Sequence, residues 1–160
     1  MMGLQTSETP LSPARTMRRL LMVAAIATAT GLGAAFAGDE VTMFKDPNCG
    51  CCGKWAEHMR ANGFTVKEVS SADMGEVKAD AGVPQKLGSC HTAKVGGYVV
   101  EGHVPASDVR RMLLERPAIV GLSAPGMPLG SPGMEGPYPA DRYDVISFDR
   151  EGATAVFASH

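Results

Sequence analysis

Alternating apolar and polar residues mark several short segments of the chain as β-strands. The alternation is regular in Phe64–Ser70, and Gly96-Gly97 lies between two apolar runs in the way that favours a tight hairpin. A second hairpin is predicted at the C-terminus, with its turn at Arg150–Gly152. The predicted strand segments are Glu40–Asp46, Phe64–Ser70, His91–Gly102 and Tyr143–His160.

Three further segments place apolar residues at helical spacing, with residues at their ends that start or stop a helix. These predicted helices are Cys52–Gly63, Asp73–Gly82 and Pro105–Pro117. The resulting order is β-α-β-α-β-β-α, followed by the C-terminal hairpin. This is the order of the thioredoxin fold, so we expect an α/β, thioredoxin-like domain.

The segment Gly121–Pro139 is rich in glycine and proline, which predicts a loop without regular helix or strand. Met127 and Met134 lie in two similar phrases of it, PGMPLG and PGMEG. Structureless loops of this length are uncommon in compact domains and are usually functional. We therefore treat residues 120–140 as a candidate metal-site loop.

The first part of the chain has the composition of an export signal. Arg15, Arg18 and Arg19 precede the apolar run Leu20–Ala37, which ends in an A-x-A pattern. Residues 1–37 are predicted to be a cleaved signal peptide, and residues 38–160 the mature domain. A membrane anchor is the alternative, but the run is rich in small residues and lacks a stop-transfer charge cluster. We expect a periplasmic protein that has no membrane contact after cleavage.

Length and charge narrow the function classes. The chain has 160 residues and a formal net charge of −2 at pH 7. The length suits one domain after a leader. A mildly acidic chain without a basic stripe argues against nucleic acid as a partner.

Three cysteines fall within four positions in DPNCGCCGKW: Cys49, Cys51 and Cys52. Thiols at the start of a helix are favoured as thiolates, because the helix N-terminus carries partial positive charge. Cysteines of exported proteins normally form disulfides, yet the adjacent Cys51 and Cys52 cannot easily bridge each other. In a thioredoxin fold the proline before the third strand faces the loop after the first, so Cys90 is expected beside this cluster.

Soft ligands are concentrated around these cysteines. Thiolate, thioether and imidazole groups together select Cu(I), whereas zinc has little use for thioethers. A third thiol between the two members of a CxxC pair would supply an additional or bridging ligand, so the site could hold more than one copper ion. The candidate metal ligands are Cys49, Cys51, Cys52, Cys90, His91, His103, Met127 and Met134. For His91 the orientation stays open, because neighbours on a strand face opposite sides.

The phrases CGCCGKW, SCHT, GYVVEGHVP and GLSAPGMPLGSPGMEG resemble those of the CopG-type periplasmic copper-resistance proteins, a predicted metal-binding family. The resemblance runs from Val41 to Phe157. It implies a thioredoxin-like fold, copper binding and a role in copper tolerance, with other periplasmic copper-handling proteins as candidate partners.

Three functions follow for the mature domain. The first is a copper protein that sequesters, transfers or redox-converts Cu(I)/Cu(II). The second is a thiol-disulfide oxidoreductase with Cys49 as attacking thiolate and Cys52 as resolving thiol. The third is a zinc-stabilised module, which chelators would unfold. Whether the chain is an enzyme is left open by the sequence.

Overall fold

The computed structural model of the chain describes residues 39–160. The predicted leader, residues 1–37, and its cleavage site lie outside the described residues.

Helices and strands alternate along most of the described chain, which contains three α-helices and seven strands. A short 3₁₀ turn, Gln85–Leu87, precedes the third strand. In chain order the elements are β1 Glu40–Lys45, α1 Gly50–Ala61, β2 Thr65–Ser70, α2 Met74–Asp80, β3 His91–Val95, β4 Tyr98–Gly102, α3 Ala106–Glu115, β5 Gly121–Ala124, β6 Asp144–Phe148 and β7 Thr154–Ser159.

All seven strands belong to one mixed sheet, in the order β2-β1-β3-β4-β5-β6-β7. The pairs β1–β2 and β4–β5 are parallel, and the other neighbours are antiparallel. The chain is therefore an α/β protein. The predicted element order up to α3 and the predicted C-terminal hairpin are both confirmed.

Helix α1 begins two residues earlier than predicted, at Gly50 rather than Cys52. Asp46 closes the preceding turn, since its backbone oxygen accepts from the Cys49 amide at 3.0 Å. Cys49 is consequently the N-cap residue, and Cys51 and Cys52 lie in the first helical turn. The start of α1 thus carries three cysteines within four positions.

The core lies between α1, α3 and the sheet. Trp55 fills much of it, because the ring is fully buried and its Nε1 donates to the Val104 backbone oxygen at 2.9 Å. Met43, Met59 and Met112 are also fully buried and complete this part of the core.

The prediction for Gly121–Pro139 was wrong at its beginning, because residues 121–124 form β5 between β4 and β6. Leu122 and Ala124 are fully buried there. Neighbouring strands on both sides satisfy the backbone of this segment, and that tertiary pairing outweighs the weak local strand preference of a glycine-rich sequence.

Across the described range, 39–160, none of the helices has the length and apolar character needed to span a lipid bilayer.

Candidate metal centre

The cysteines and two of the histidines meet at one end of the sheet. Antiparallel pairing of β1 with β3 places Lys45, the last residue of β1, opposite His91, the first residue of β3. Cys90 therefore lies beside the loop that joins β1 to α1. His103 follows directly after β4, which is the neighbour of β3 in the sheet.

The four cysteine sulfurs form a compact group. Cys49 and Cys52 are joined in a disulfide, whereas Cys51 and Cys90 are free thiols. Cys51 Sγ lies 3.6 Å from Cys49 Sγ and 4.0 Å from Cys90 Sγ. All four sulfurs lie within 4.8 Å of one another. Cys90 thus lies beside the other three cysteines, as the thioredoxin-like topology predicts.

Cys90 also belongs to a second group of donors, with two imidazoles. Its Sγ lies 2.9 Å from Nε2 of His103 and 3.3 Å from Nδ1 of His91. On its other side, the His103 ring lies 2.8 Å from the Pro132 backbone oxygen through Nδ1. A carbonyl oxygen can only accept, so Nδ1 carries the proton and Nε2 presents its lone pair toward Cys90.

His91 points into this site and is fully buried. Its ring centroid lies 4.5 Å from that of Trp55 and 5.0 Å from that of His103. Within residues 39–160 the Nε2 atom of His91 is buried without a hydrogen-bond partner. A buried polar atom left unpaired calls for an explanation, and a ligand bound at the site would provide one.

Burial favours the neutral forms of the two imidazoles and of the Cys90 thiol. Burial lowers the pKa of His91 well below its ordinary value, with His103 and Lys78 acting in the same direction. Burial also lowers the pKa of His103. Burial and the neighbouring Cys51 raise the pKa of Cys90 to about 12. Neutral imidazoles are the form that binds metals, and a cation that binds Cys90 must displace its proton.

The loop after β5 reaches the site through its backbone. Besides the Pro132 carbonyl on His103, Gly133 packs against the first turns of α1, and a Cβ atom there would lie 3.0 Å from the Cys51 backbone oxygen. Met134 is half-buried, and its amide donates to the Ser131 backbone oxygen at 2.8 Å. Met127 is 53% exposed. Coordination by the two methionines stays a prediction.

Two histidines outside the cluster make contacts that the sequence patterns do not reveal. His58 is half-buried, and its Nε2 accepts from the Ala106 amide at 3.1 Å, at the start of α3. His160 lies 2.7 Å from an Asp108 carboxylate oxygen and stacks on Tyr143. Neither interaction has a local sequence signal, because each joins segments far apart in the chain.

Comparison with solved structures identifies the relatives of this chain. Two structures of a copper resistance protein, copG form 1 and copG form 2, each share 46% sequence identity with it. The match with form 1 covers 76% of this chain and 96% of the form 1 chain, with a TM-score of 0.72. The match with form 2 covers 77% of this chain and 98% of the form 2 chain, with a TM-score of 0.74. The chain belongs to the CopG family of copper resistance proteins.

A profile of a protein family of unknown function, DUF411, matches residues 87–134 of this CopG family member. That range contains Cys90, His91, His103 and both loop methionines. No curated protein matches the chain. The CopG relationship and the cysteine–histidine cluster together support a copper-related function.

Proposed function

We propose that this CopG family member binds copper in the periplasm and thereby contributes to copper resistance. The observation that carries the proposal is that Cys90 belongs both to a four-sulfur group and to a sulfur–imidazole group. The proposed protein ligands are Cys49, Cys51, Cys52, Cys90, His91 and His103, with Met127 and Met134 as thioether ligands or as a cover.

The donor set favours Cu(I) and more than one ion. Thiolates and thioethers are soft ligands that select Cu(I), and imidazole suits copper in either oxidation state. Because Cys90 belongs to both groups, its sulfur would be able to bridge two ions. Cys51, 3.6 Å from Cys49, is a second candidate bridge.

The disulfide adds a redox component. Two Cu(I) ions that give up one electron each would open Cys49–Cys52, and uptake of two protons would yield the two thiols that complete the four-sulfur group. In the reverse direction, two Cu(II) ions accept one electron each, the two thiols lose their protons, and the S–S bond forms. Interconversion of Cu(I) and Cu(II) therefore balances within this pair, alongside storage or transfer of copper to other periplasmic proteins.

The sheet topology supports a thioredoxin-like fold, and the signal-peptide pattern supports a periplasmic location. A core order of β2-β1-β3-β4 with a CxxC pair at the start of α1 is the arrangement expected for a thioredoxin-like domain. The signal-peptide pattern of residues 1–37 predicts export. A disulfide is also typical of an oxidising compartment.

A second function, thiol-disulfide oxidoreductase, is favoured by the Cys49–Cys52 disulfide itself. Cys52 is fully buried and Cys49 half-buried, as expected for a resolving and an attacking thiol. This function leaves Cys51, Cys90 and the two imidazoles without a role. Reduction of insulin disulfides by the metal-free protein would favour it, and inhibition of that activity by Cu(I) would unite the two functions.

The proposal is tested by anaerobic loading of the reduced protein with Cu(I), followed by metal analysis. C51S should lower the number of copper ions per chain and keep the fold. C90S should lower it at least as much, because it removes a donor from both groups. H160Q, outside the site, serves as the control and should bind as the parent does. Parent-like copper content in both cysteine variants would reject the shared site.

A further inference from the structure

A fully buried carboxylate contacts residues that are adjacent in sequence to two of the proposed copper ligands. Glu101, in β4, has no exposed surface. One of its oxygens accepts from Lys78 Nζ at 2.5 Å and from the Ser89 amide at 2.6 Å. The other accepts from the Thr92 hydroxyl at 2.7 Å. Glutamate is rarely buried to this extent unless it is paired.

These contacts involve the residues on either side of two proposed ligands, Cys90 and His91. Ser89 immediately precedes Cys90, and Thr92 immediately follows His91. The carboxylate of Glu101 therefore holds the backbone on one side of the Cys90-His91 pair and a side chain on the other. The sheet register, which sets Thr92 opposite Glu101, makes this possible.

The same segment has a second anchor on the next strand. Ser123 of β5 lies opposite Glu101 in the register, and its hydroxyl donates to the Leu87 backbone oxygen at 2.6 Å. Thr92, Glu101 and Ser123 thus form a buried polar row across three strands. Because Cys90 lies outside any helix or strand, its position depends on how well this row holds Leu87–Ser89.

A contribution to stability alone is a weak account of this arrangement. Burying an ion pair costs desolvation that the mutual attraction only partly offsets, and apolar replacements are often no less stable. Residues that hold metal ligands in place, by contrast, typically change metal affinity when they are removed.

We infer that Glu101, with Lys78 as its counter-ion, is a positioning residue that fixes Cys90 and His91 for copper binding. The inference rests on the proposed function. Lys78, on α2, then acts on the proposed copper site through Glu101.

Two measurements on the reduced full chain test this role. The first is Cu(I) affinity by competition with a chromogenic chelator. The second is the rate at which iodoacetamide alkylates Cys90 in the metal-free protein, followed by peptide mapping. E101A should weaken Cu(I) binding by about 10–100-fold, the range seen when such supporting residues are lost, and should speed alkylation of Cys90. E101Q should bring the Cu(I) affinity and the alkylation rate of Cys90 back close to the parent values, because its side-chain amide can still accept from Ser89 and donate to Thr92.

A matched control separates positioning from general loosening. V145A removes buried apolar atoms from β6, a strand that contributes no residue to the row, and should leave both readouts close to the parent values. Should E101A fail to fold, T92V keeps the shape of the side chain and removes only the hydroxyl, so it should shift both readouts in the same direction by less.

Three outcomes would overturn the inference: parent-like values in E101A, equal losses in E101A and V145A, or parent-like values in T92V where E101A does not fold. A parent protein that binds no copper would reject the proposed function instead. The alkylation rates would still decide whether Glu101 fixes Cys90.

Discussion

Replacement of Gly133 by alanine tests whether the loop after β5 must lie close to helix α1. Gly133 has a φ of +87°, in the left-handed region. A Cβ atom there would lie 2.8 Å from the Trp55 backbone nitrogen and 3.0 Å from the Cys51 backbone oxygen. Both are main-chain atoms of α1, which cannot move aside as a flexible side chain could.

Two costs add in G133A. A residue with a Cβ atom in the left-handed region costs about 1–2 kcal/mol. Overlap with a well-packed neighbour costs about 1–3 kcal/mol more. The total loss in free energy of unfolding is therefore about 2–5 kcal/mol. The loop can escape the overlap only by moving off the helix, which would break the contact between the Pro132 carbonyl and His103.

Gly152 provides the control, since its φ is +81° and a Cβ atom there would meet nothing within 4 Å. G152A should carry the conformational cost alone. Urea unfolding of both variants should show G133A to be less stable by about 1–3 kcal/mol. Cu(I) affinity should fall in G133A and stay unchanged in G152A. Equal stability and equal copper affinity in the two variants would refute the reasoning.

Two further predictions concern the loop methionines and the leader. Changing Met127 and Met134 together to leucine should cost less than ~1.5 kcal/mol for each swap but should alter Cu(I) affinity or the copper reduction potential; a double variant that binds and cycles copper as the parent does would make them packing residues. Mass spectrometry of the exported protein should show Gly38 or a close neighbour as the first residue, and a species that keeps residues 20–37 would indicate a membrane anchor.

The hairpin and the helices could be predicted because their signals are local. Gly96 and Gly97 both have positive φ, as a tight hairpin turn requires, and Gly63 ends α1 in the same way. Strand β5 could not be predicted from composition, because its pairing with β4 and β6 depends on residues distant in sequence. The local strand propensity of Gly121–Ala124 is weak, so it does not predict the strand.

The same division applies to the site. The crowding of Cys49, Cys51 and Cys52 is visible in the sequence, and the expected topology brought Cys90 to them. The inward orientation of His91 depended on the register of β3 with β1, which no local pattern fixes. The role of Glu101 had one unused signal, a charged residue inside the otherwise apolar run of β4, YVVEG.

The two tethers of the loop after β5 set where the chain can change in length. Gly126 is hydrogen-bonded to Gly88 and Ser89, and Pro132 to His103. A deletion between Gly126 and Pro132 would pull one tether from its partner. Residues 136–140 are exposed, and lengthening a flexible segment costs only about 0.6 kcal/mol for each doubling. An insertion in this exposed segment should therefore disturb the proposed copper site least, so a fluorescent reporter could be placed there.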